Sequence, residues 1–260
     1  MNKSRQFSST LESLVEIKPD EVAPPSKPEV AAPSLSSVLS EMGSLPREAL
    51  FLGVASDGLP VLLNLHDPTP GPLLIVGDGG AGKTDFLKTL ALGVQQTHRP
   101  EDVQFGVITS HVNEWDRVES SSHHVGVFPW VENKVQEFIH SLAVWAHTHS
   151  RSRQSVLLMI DDLESIIRLE PATLQELRWL LLRGTSRGVW AILTLNAERY
   201  TQVLDWIPMF RTRIFGRIED ESVATALGGD KESALNQLAA GVQFSLRENG
   251  QWLRFCLPSC

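Results

Sequence analysis

The sequence predicts an α/β fold with a mainly parallel central sheet flanked by helices, and three observations predict it. Short apolar runs alternate along the chain with longer segments of helical period. One run passes through a glycine-rich turn into a helix, in Leu73-Leu74-Ile75-Val76-Gly77-Asp78-Gly79-Gly80-Ala81-Gly82-Lys83-Thr84. Another, Val156 to Ile160, stops at two acids, Asp161 and Asp162. Continuous apolar runs of this kind suit strands covered on both faces, as parallel strands are.

Residues 1–47 read as a disordered tail. Six of the fifteen prolines fall between Pro19 and Pro46, among Ser, Ala and Glu, and such a segment buries too little apolar surface to offset its ordering entropy. A transient helix over Thr10 to Ile17 is the one local feature there. The domain is expected over residues 48–260. Phe51 to Val54 and Val61 to Leu65 predict a hairpin around Ser56-Asp57-Gly58. Leu73 to Val76, bounded by Pro72 and Gly77, predicts a buried strand. Phe86, Leu87, Leu90, Ala91 and Val94 then mark one helical face.

Val103 to Thr109 suits an interior strand, and residues 110–124 read as polar and irregular. Val131 to His149 predicts a helix through Val135, Phe138, Ile139, Leu142 and Trp145. A helix over Ala172 to Arg183 turns Leu174, Leu177 and Leu181 inward. Val189 to Thr194 and Arg211 to Phe215 are further strands, and Phe244 to Leu246 with Trp252 to Phe255 predicts a closing hairpin across Glu248-Asn249-Gly250.

Two stretches carry chemistry. Gly77 to Thr84 fits the phosphate-loop pattern G-x-x-x-x-G-K-[ST] at every fixed position. Phosphate oxygens need several N–H groups aimed inward, and glycine allows the required dihedrals. The pattern assigns Gly77, Asp78, Gly79, Gly80, Ala81, Gly82, Lys83 and Thr84 to the phosphates, with Lys83 on the β- and γ-groups and the Thr84 hydroxyl on Mg²⁺. The helix that begins there adds its positive end. In the second stretch, an apolar strand ending in acids places Asp161 at the edge where parallel sheets bind ligands. Lying 78 residues after Lys83, with a strand and a long helix between, Asp161 is the expected second Mg²⁺ residue.

Bulk properties bound the partners. A net charge of −8 offers no polybasic surface. Two cysteines, Cys256 and Cys260, are too few for a disulfide framework or a zinc site. No apolar run reaches the roughly 18 residues of a membrane span, and Met1 to Thr10 lacks a signal-peptide core, so a cytoplasmic protein is expected. His123-His124 and His147-x-His149 have no carboxylate or Cys cluster to complete a metal site and read as surface or loop histidines. The seven tryptophans read mostly as core or subunit-contact residues.

With both motifs placed, residues 50–258 resemble the motor domain of the FtsK/SpoIIIE–HerA superfamily. The likeness runs through Leu52-Gly53-Val54 to Leu63, the loop Gly77–Thr84, His124-Val125-Gly126-Val127, Asp161-Asp162, Ser186-Arg187-Gly188-Val189-Trp190-Ala191-Ile192-Leu193, and Leu227-Gly228-Gly229 with Gly241. It implies a RecA-like P-loop NTPase that binds ATP and Mg²⁺ between subunits of a ring and threads double-stranded DNA or another polymer through it. It further implies an arginine donated in trans, for which Arg183 and Arg187 stand in position, and a polar sensor at Asn196.

Three departures from the family pattern follow. The residue after the Mg²⁺ acid, usually Glu, is Asp162, shorter by one methylene for positioning water; this pair also resembles less active modules of type VII secretion ATPases. Ser110-His111 replace the usual charged residues after the second strand. Nothing in the chain resembles a membrane anchor or a winged-helix DNA reader. The motifs predict a nucleotide-binding ATPase, and the resemblance implies DNA translocation as its output. The alternatives are a nucleotide-binding scaffold without turnover and a protein-export ATPase.

Overall fold

The computed structural model describes residues 33–130, 133–148, 154–248 and 250–259. In chain order these form α1 (Leu35–Met42), β1 (Ala49–Ala55), β2 (Pro60–Asn64), β3 (Leu73–Gly77), α2 (Lys83–Thr97), β4 (Val103–Thr109), α3 (Asp116–Glu119) and β5 (His124–Pro129). Then come α4 (Lys134–Thr148), β6 (Ser155–Ile160), α5 (Pro171–Arg183), β7 (Val189–Asn196), β8 (Thr212–Phe215), α6 (Glu221–Ala226), β9 (Gln243–Glu248) and β10 (Gln251–Cys256).

All these strands join one sheet in the order β2-β1-β10-β9-β8-β3-β7-β6-β4-β5. From β8 to β5 the ladders are parallel, and from β2 to β8 they are antiparallel. The predicted α/β class, RecA-like with a mainly parallel core and terminal hairpins, is the observed one. The first hairpin does not pair with the phosphate-loop strand it precedes. It lies at the sheet's far side, where β1 pairs with β10, so the two terminal hairpins close on each other.

Side-chain alternation divides the core. Leu74 and Val76 of β3 pack with α4 and α5 residues such as Ile139 and Leu177. Leu73 and Ile75 pack on the other face with Phe86, Leu87 and Leu90 of α2. A strand covered on both sides needs apolar residues at every position, which is why β3, β6 and most of β7 read as unbroken runs.

Three local expectations are corrected. Residues 33–47, assigned to the tail, belong to the folded unit. Leu35, Val38 and Leu39 of α1 recur at helical spacing and bury against Phe51, and Leu35 and Ser259 exchange the segment's main-chain bonds, Leu35 N–H to Ser259 O and Ser259 N–H to Pro33 O, both at 2.9 Å. The expected helix at Thr10–Ile17 lies outside the described residues. The stretch 110–124 is less irregular than its polarity suggests: it holds a 3-10 turn at Val112–Trp115 and α3, with Trp115 and Val118 buried, and runs into β5, an edge strand beside β4. Within it, His123 is buried, its Nε2 3.0 Å from His98 O. It is therefore a loop residue, as one half of the sequence reading had it, but not a surface one. No group of metal-ligating side chains forms among the described residues, and no described helix is long and apolar enough to cross a membrane.

Candidate functional site

The glycine loop is the turn between β3 and α2. Gly80 and Gly82 hold φ of +76° and +86°, which side chains with a Cβ adopt at a cost. A Cβ added at Gly79 or Gly80 would meet nothing within 4 Å, so this side of the loop is open. The other side is closed: a Cβ at Gly82 would stand 2.7 Å from Gly241 Cα, and Ala81 is buried beside Gly77 and Gly216. The loop thus rests on the segment between β8 and β9 and presents its outer face to solvent.

Lys83 folds over this loop, its Nζ donating to Gly77 O at 2.9 Å and Asp78 O at 2.8 Å. Asp78 is turned the other way. Its carboxylate accepts from Glu219 N–H at 2.8 Å and its own N–H donates to Arg217 O at 2.9 Å, so both its side chain and its N–H brace the loop. Beside this brace opens a cleft of about 640 Å³ lined by Asp78, Gly79, Arg217, Glu219 and Asp220. Sequence reasoning missed its walls, because residues 217–220 carry no motif of their own.

The second motif arrives at the same place through the strand order β3-β7-β6. Thr84 Oγ1 donates to Asp161 Oδ2 at 2.9 Å. The other carboxylate oxygen accepts from Thr194 Oγ1 at 2.7 Å, and Thr194 in turn accepts the Asp162 N–H at 2.8 Å. Trp130 Nε1 donates to Asp161 O at 3.2 Å. Thr194, fully buried at the third-last position of β7, orients Asp161 and was not singled out from the sequence. The one signal for it was a hydroxyl in an otherwise apolar strand.

Burial dominates the electrostatics here. It pushes the Asp161 carboxyl above its ordinary range, with the Asp162 charge adding, against hydrogen bonds from Thr194 and Thr84 and the charge of Lys83. Burial likewise pulls the Lys83 ammonium down, opposed by Glu164, Asp162, Asp161 and Asp78. Asp162 is half-buried, with its backbone in the left-handed region at φ +73°. Two residues on, Glu164 is a buried carboxylate whose Oε1 lies 3.6 Å from Arg199 Nη1; it too was missed, carrying no motif of its own.

Asn196 pairs in register with Gly77, so it stands beside the loop. Its carboxamide oxygen accepts from Glu198 N–H at 3.2 Å and caps the turn that follows. Arg183 and Arg187 are not brought to the site: they end α5 and the 3-10 turn before β7, at the strand's opposite end.

Residues 46–163 match the model of the FtsK/SpoIIIE family, a span that runs from the start of the first hairpin through the glycine loop to the acidic pair. No curated protein matches the chain in sequence. Among solved structures, EssC (ATPases 2 and 3) from Geobacillus thermodenitrificans is 16% identical with a TM-score of 0.69, covering 91% of this chain and 48% of that one. The cytoplasmic domain of the Thermomonospora curvata type VII secretion ATPase EccC is 14% identical with a TM-score of 0.67, covering 88% of this chain and 28% of that one. The pCW3 conjugation coupling protein TcpA, in its monomer form with ATPγS, is 12% identical with a TM-score of 0.64 and coverages of 88% and 70%. The chain spans less than half the length of the EccC and EssC structures it resembles.

Proposed function

We propose that this FtsK/SpoIIIE-type P-loop ATPase domain binds MgATP at residues 77–84 and hydrolyses it within an oligomeric ring, with translocation of double-stranded DNA as the output. The observation that carries the nucleotide reading is the contact of Thr84 with Asp161: two side chains 77 residues apart, which the motifs independently assign to one cation, lie 2.9 Å apart. The residues fit the ligand. Gly79 and Gly80 leave open space where an anion would lie, Lys83 stands over it, and Thr84 and Asp161 offer oxygen donors of the kind Mg²⁺ takes.

In this reading MgATP supplies the transferable phosphoryl group and a metal that neutralises charge as it develops. The chain's own part is positioning. The N–H groups of residues 79–84 and the α2 N-terminus hold the phosphates. Lys83 exchanges its two main-chain carbonyls for phosphate oxygens, and the charge-assisted bonds gained are stronger than those released. Thr84 and Asp161 hold the metal, and Thr194 keeps Asp161 aimed. A carboxylate following Asp161, with Asp162 the first candidate in sequence, orients water. Asn196 stands level with the loop as a sensor, and a neighbouring copy supplies Arg183 or Arg187.

The polymer is carried by family likeness, and the fold likeness to the conjugation coupling protein TcpA agrees with it. A second reading is coupling to protein export. The Asp161-Asp162 pair, the net charge of −8 and the likeness to EccC and EssC favour it. Steady-state ATP hydrolysis against protein concentration, with and without double-stranded DNA, separates the two. Stimulation by DNA that weakens with salt is expected for a translocase; hydrolysis indifferent to DNA at every salt concentration would leave export or scaffolding.

A further inference from the structure

We propose that Glu164, and not Asp162, is the carboxylate that takes the proton of the attacking water. The inference deepens the ATPase reading above and rests on it.

Three observations lead to it. Glu164 sits in the 3-10 turn Leu163–Arg168, directly after the acidic pair, and is 5% exposed. Its Oε1 faces Arg199, while its Oε2 is buried with no hydrogen-bond donor. A buried carboxylate oxygen without a donor is rare, and the usual occupant of such a position is a water or a ligand group. Of the acids around Lys83, Glu164 acts on its ammonium most strongly, ahead of Asp162, Asp161 and Asp78. The Asn196 main-chain N–H also faces it. Its carboxylate therefore lies near both the phosphate-loop lysine and the end of β7.

Asp162 is differently placed. Its side chain is one methylene shorter, it is half-buried, and its carboxylate makes no hydrogen bond or ion pair with any described residue. Its left-handed backbone, φ +73°, has its N–H committed to Thr194, and the 3-10 turn that carries Glu164 begins directly after it. Burial, with the Asp162 charge adding, raises the proton affinity of Glu164 against the amides of Glu164 and Asn196 and the charge of Arg199. A general base gains from such a shift. In the step, the water oxygen bonds to the γ-phosphorus. The bond from that phosphorus to the bridging oxygen breaks, its electron pair leaving on ADP, and the water proton rests on Glu164 Oε2 before passing to solvent.

The test compares three variants of the full chain. Glu164→Gln should lower single-turnover ATP hydrolysis by about 100-fold or more. It should leave MgATPγS affinity within about threefold of wild type and weaken binding of ADP–aluminium fluoride by about tenfold or more, since the lost contact belongs to the transition state. Asp162→Asn should lower turnover by less than Glu164→Gln does. Arg199→Gln removes the ion-pair partner alone and should keep turnover and thermal midpoint near wild type.

Undiminished hydrolysis in Glu164→Gln overturns the inference. So does a parallel loss of rate and thermal midpoint in Glu164→Gln and Arg199→Gln, which would make the pair structural. A wild type that binds MgATPγS without turning over ATP overturns this inference and spares the binding reading; one that binds no nucleotide overturns both.

Discussion

At the carboxyl edge of β3, β7 and β6, hydrogen bonds of 2.7–2.9 Å tie Thr84 and Thr194 to Asp161 and Lys83 to the carbonyls of Gly77 and Asp78. At the amino edge of the same strands, Arg183 is exposed, Arg187 is half-buried, and neither forms an ion pair with a described residue. At the same edge opens a second hollow of about 630 Å³, lined by Arg47, His66, Asp102, Thr185 and Ser186. The eight residues of β7 separate the two edges by about 23 Å at the usual rise per residue. An arginine at one edge cannot reach a phosphate held by the other edge of the same copy. In the proposed reading the acid edge is complete within one chain, and the basic edge serves hydrolysis only against a neighbour's acid edge. The difference is one of position along parallel strands, and it makes assembly a condition of turnover in the proposed mechanism.

The largest expected effect tests that division. Replacing the serving arginine, Arg183→Ala or Arg187→Ala, should lower kcat on the order of 10³-fold or more while leaving ATP affinity unchanged. Mixing the inactive variant with Lys83→Ala should recover part of the activity, because each copy then supplies the edge the other lacks. Wild-type rates in both arginine variants would remove the amino edge from the chemistry. Next in size, Lys83→Ala should weaken ATP binding by roughly 10- to 150-fold by titration calorimetry, the worth of hydrogen bonds to a charged group. An unchanged affinity would break the assignment of the acid edge to phosphates.

Thr194→Val probes the support behind Asp161. It leaves Asp161 Oδ1 and the Asp162 N–H without their shared partner, and should weaken Mg²⁺-dependent nucleotide binding by about 10- to 100-fold, with less effect on nucleotide binding in EDTA. Equal losses with and without metal would make Thr194 a packing residue. The smallest effect concerns stability. Burial raises the Asp161 proton affinity in the fold above its unfolded value, so the folded state binds the proton more tightly. Its contribution to stability is gained as pH falls through the folded pKa toward the unfolded one, and is lost at neutral pH. Asp161→Asn should therefore unfold at a higher temperature than wild type at pH 7, by about 2–4 °C for each kcal/mol regained, with the gap closing on acidification. A lower midpoint at pH 7 would mean that the ionised carboxylate stabilises the nucleotide-free site.

Much of the acid edge was legible in the sequence, for a physical reason. A strand buried on both faces must be apolar throughout, so a glycine loop or an acid pair at its end stands out against Leu73–Val76 or Val156–Ile160. The helix after the loop announced its buried face with Phe86, Leu87, Leu90, Ala91 and Val94, each of them fully buried. Residues whose roles depend on a neighbour strand were not legible. Thr194 looks like one more β-branched strand residue until β7 is set beside β6, and Glu164 looks like an exposed turn acid until the Asp162 backbone turns left-handed. The short helix α1 was hidden by the prolines and serines around it, since its order comes from Phe51 and from the main-chain pairing with Ser259.

Local covalent chemistry determined what residues 77–84 and 161 can bind: glycines that free the backbone, a lysine, a hydroxyl and a carboxylate, at spacings that admit a strand, a turn and a helix. Tertiary structure alone decided how that edge is held and oriented. The strand order carried Asp161 to Thr84 across β7, packed the loop's back on Gly241, and placed the arginines a strand's length away. Such facts depend on which strands become neighbours, and that choice is settled by the burial of two opposed faces over the whole sheet, which no single segment encodes.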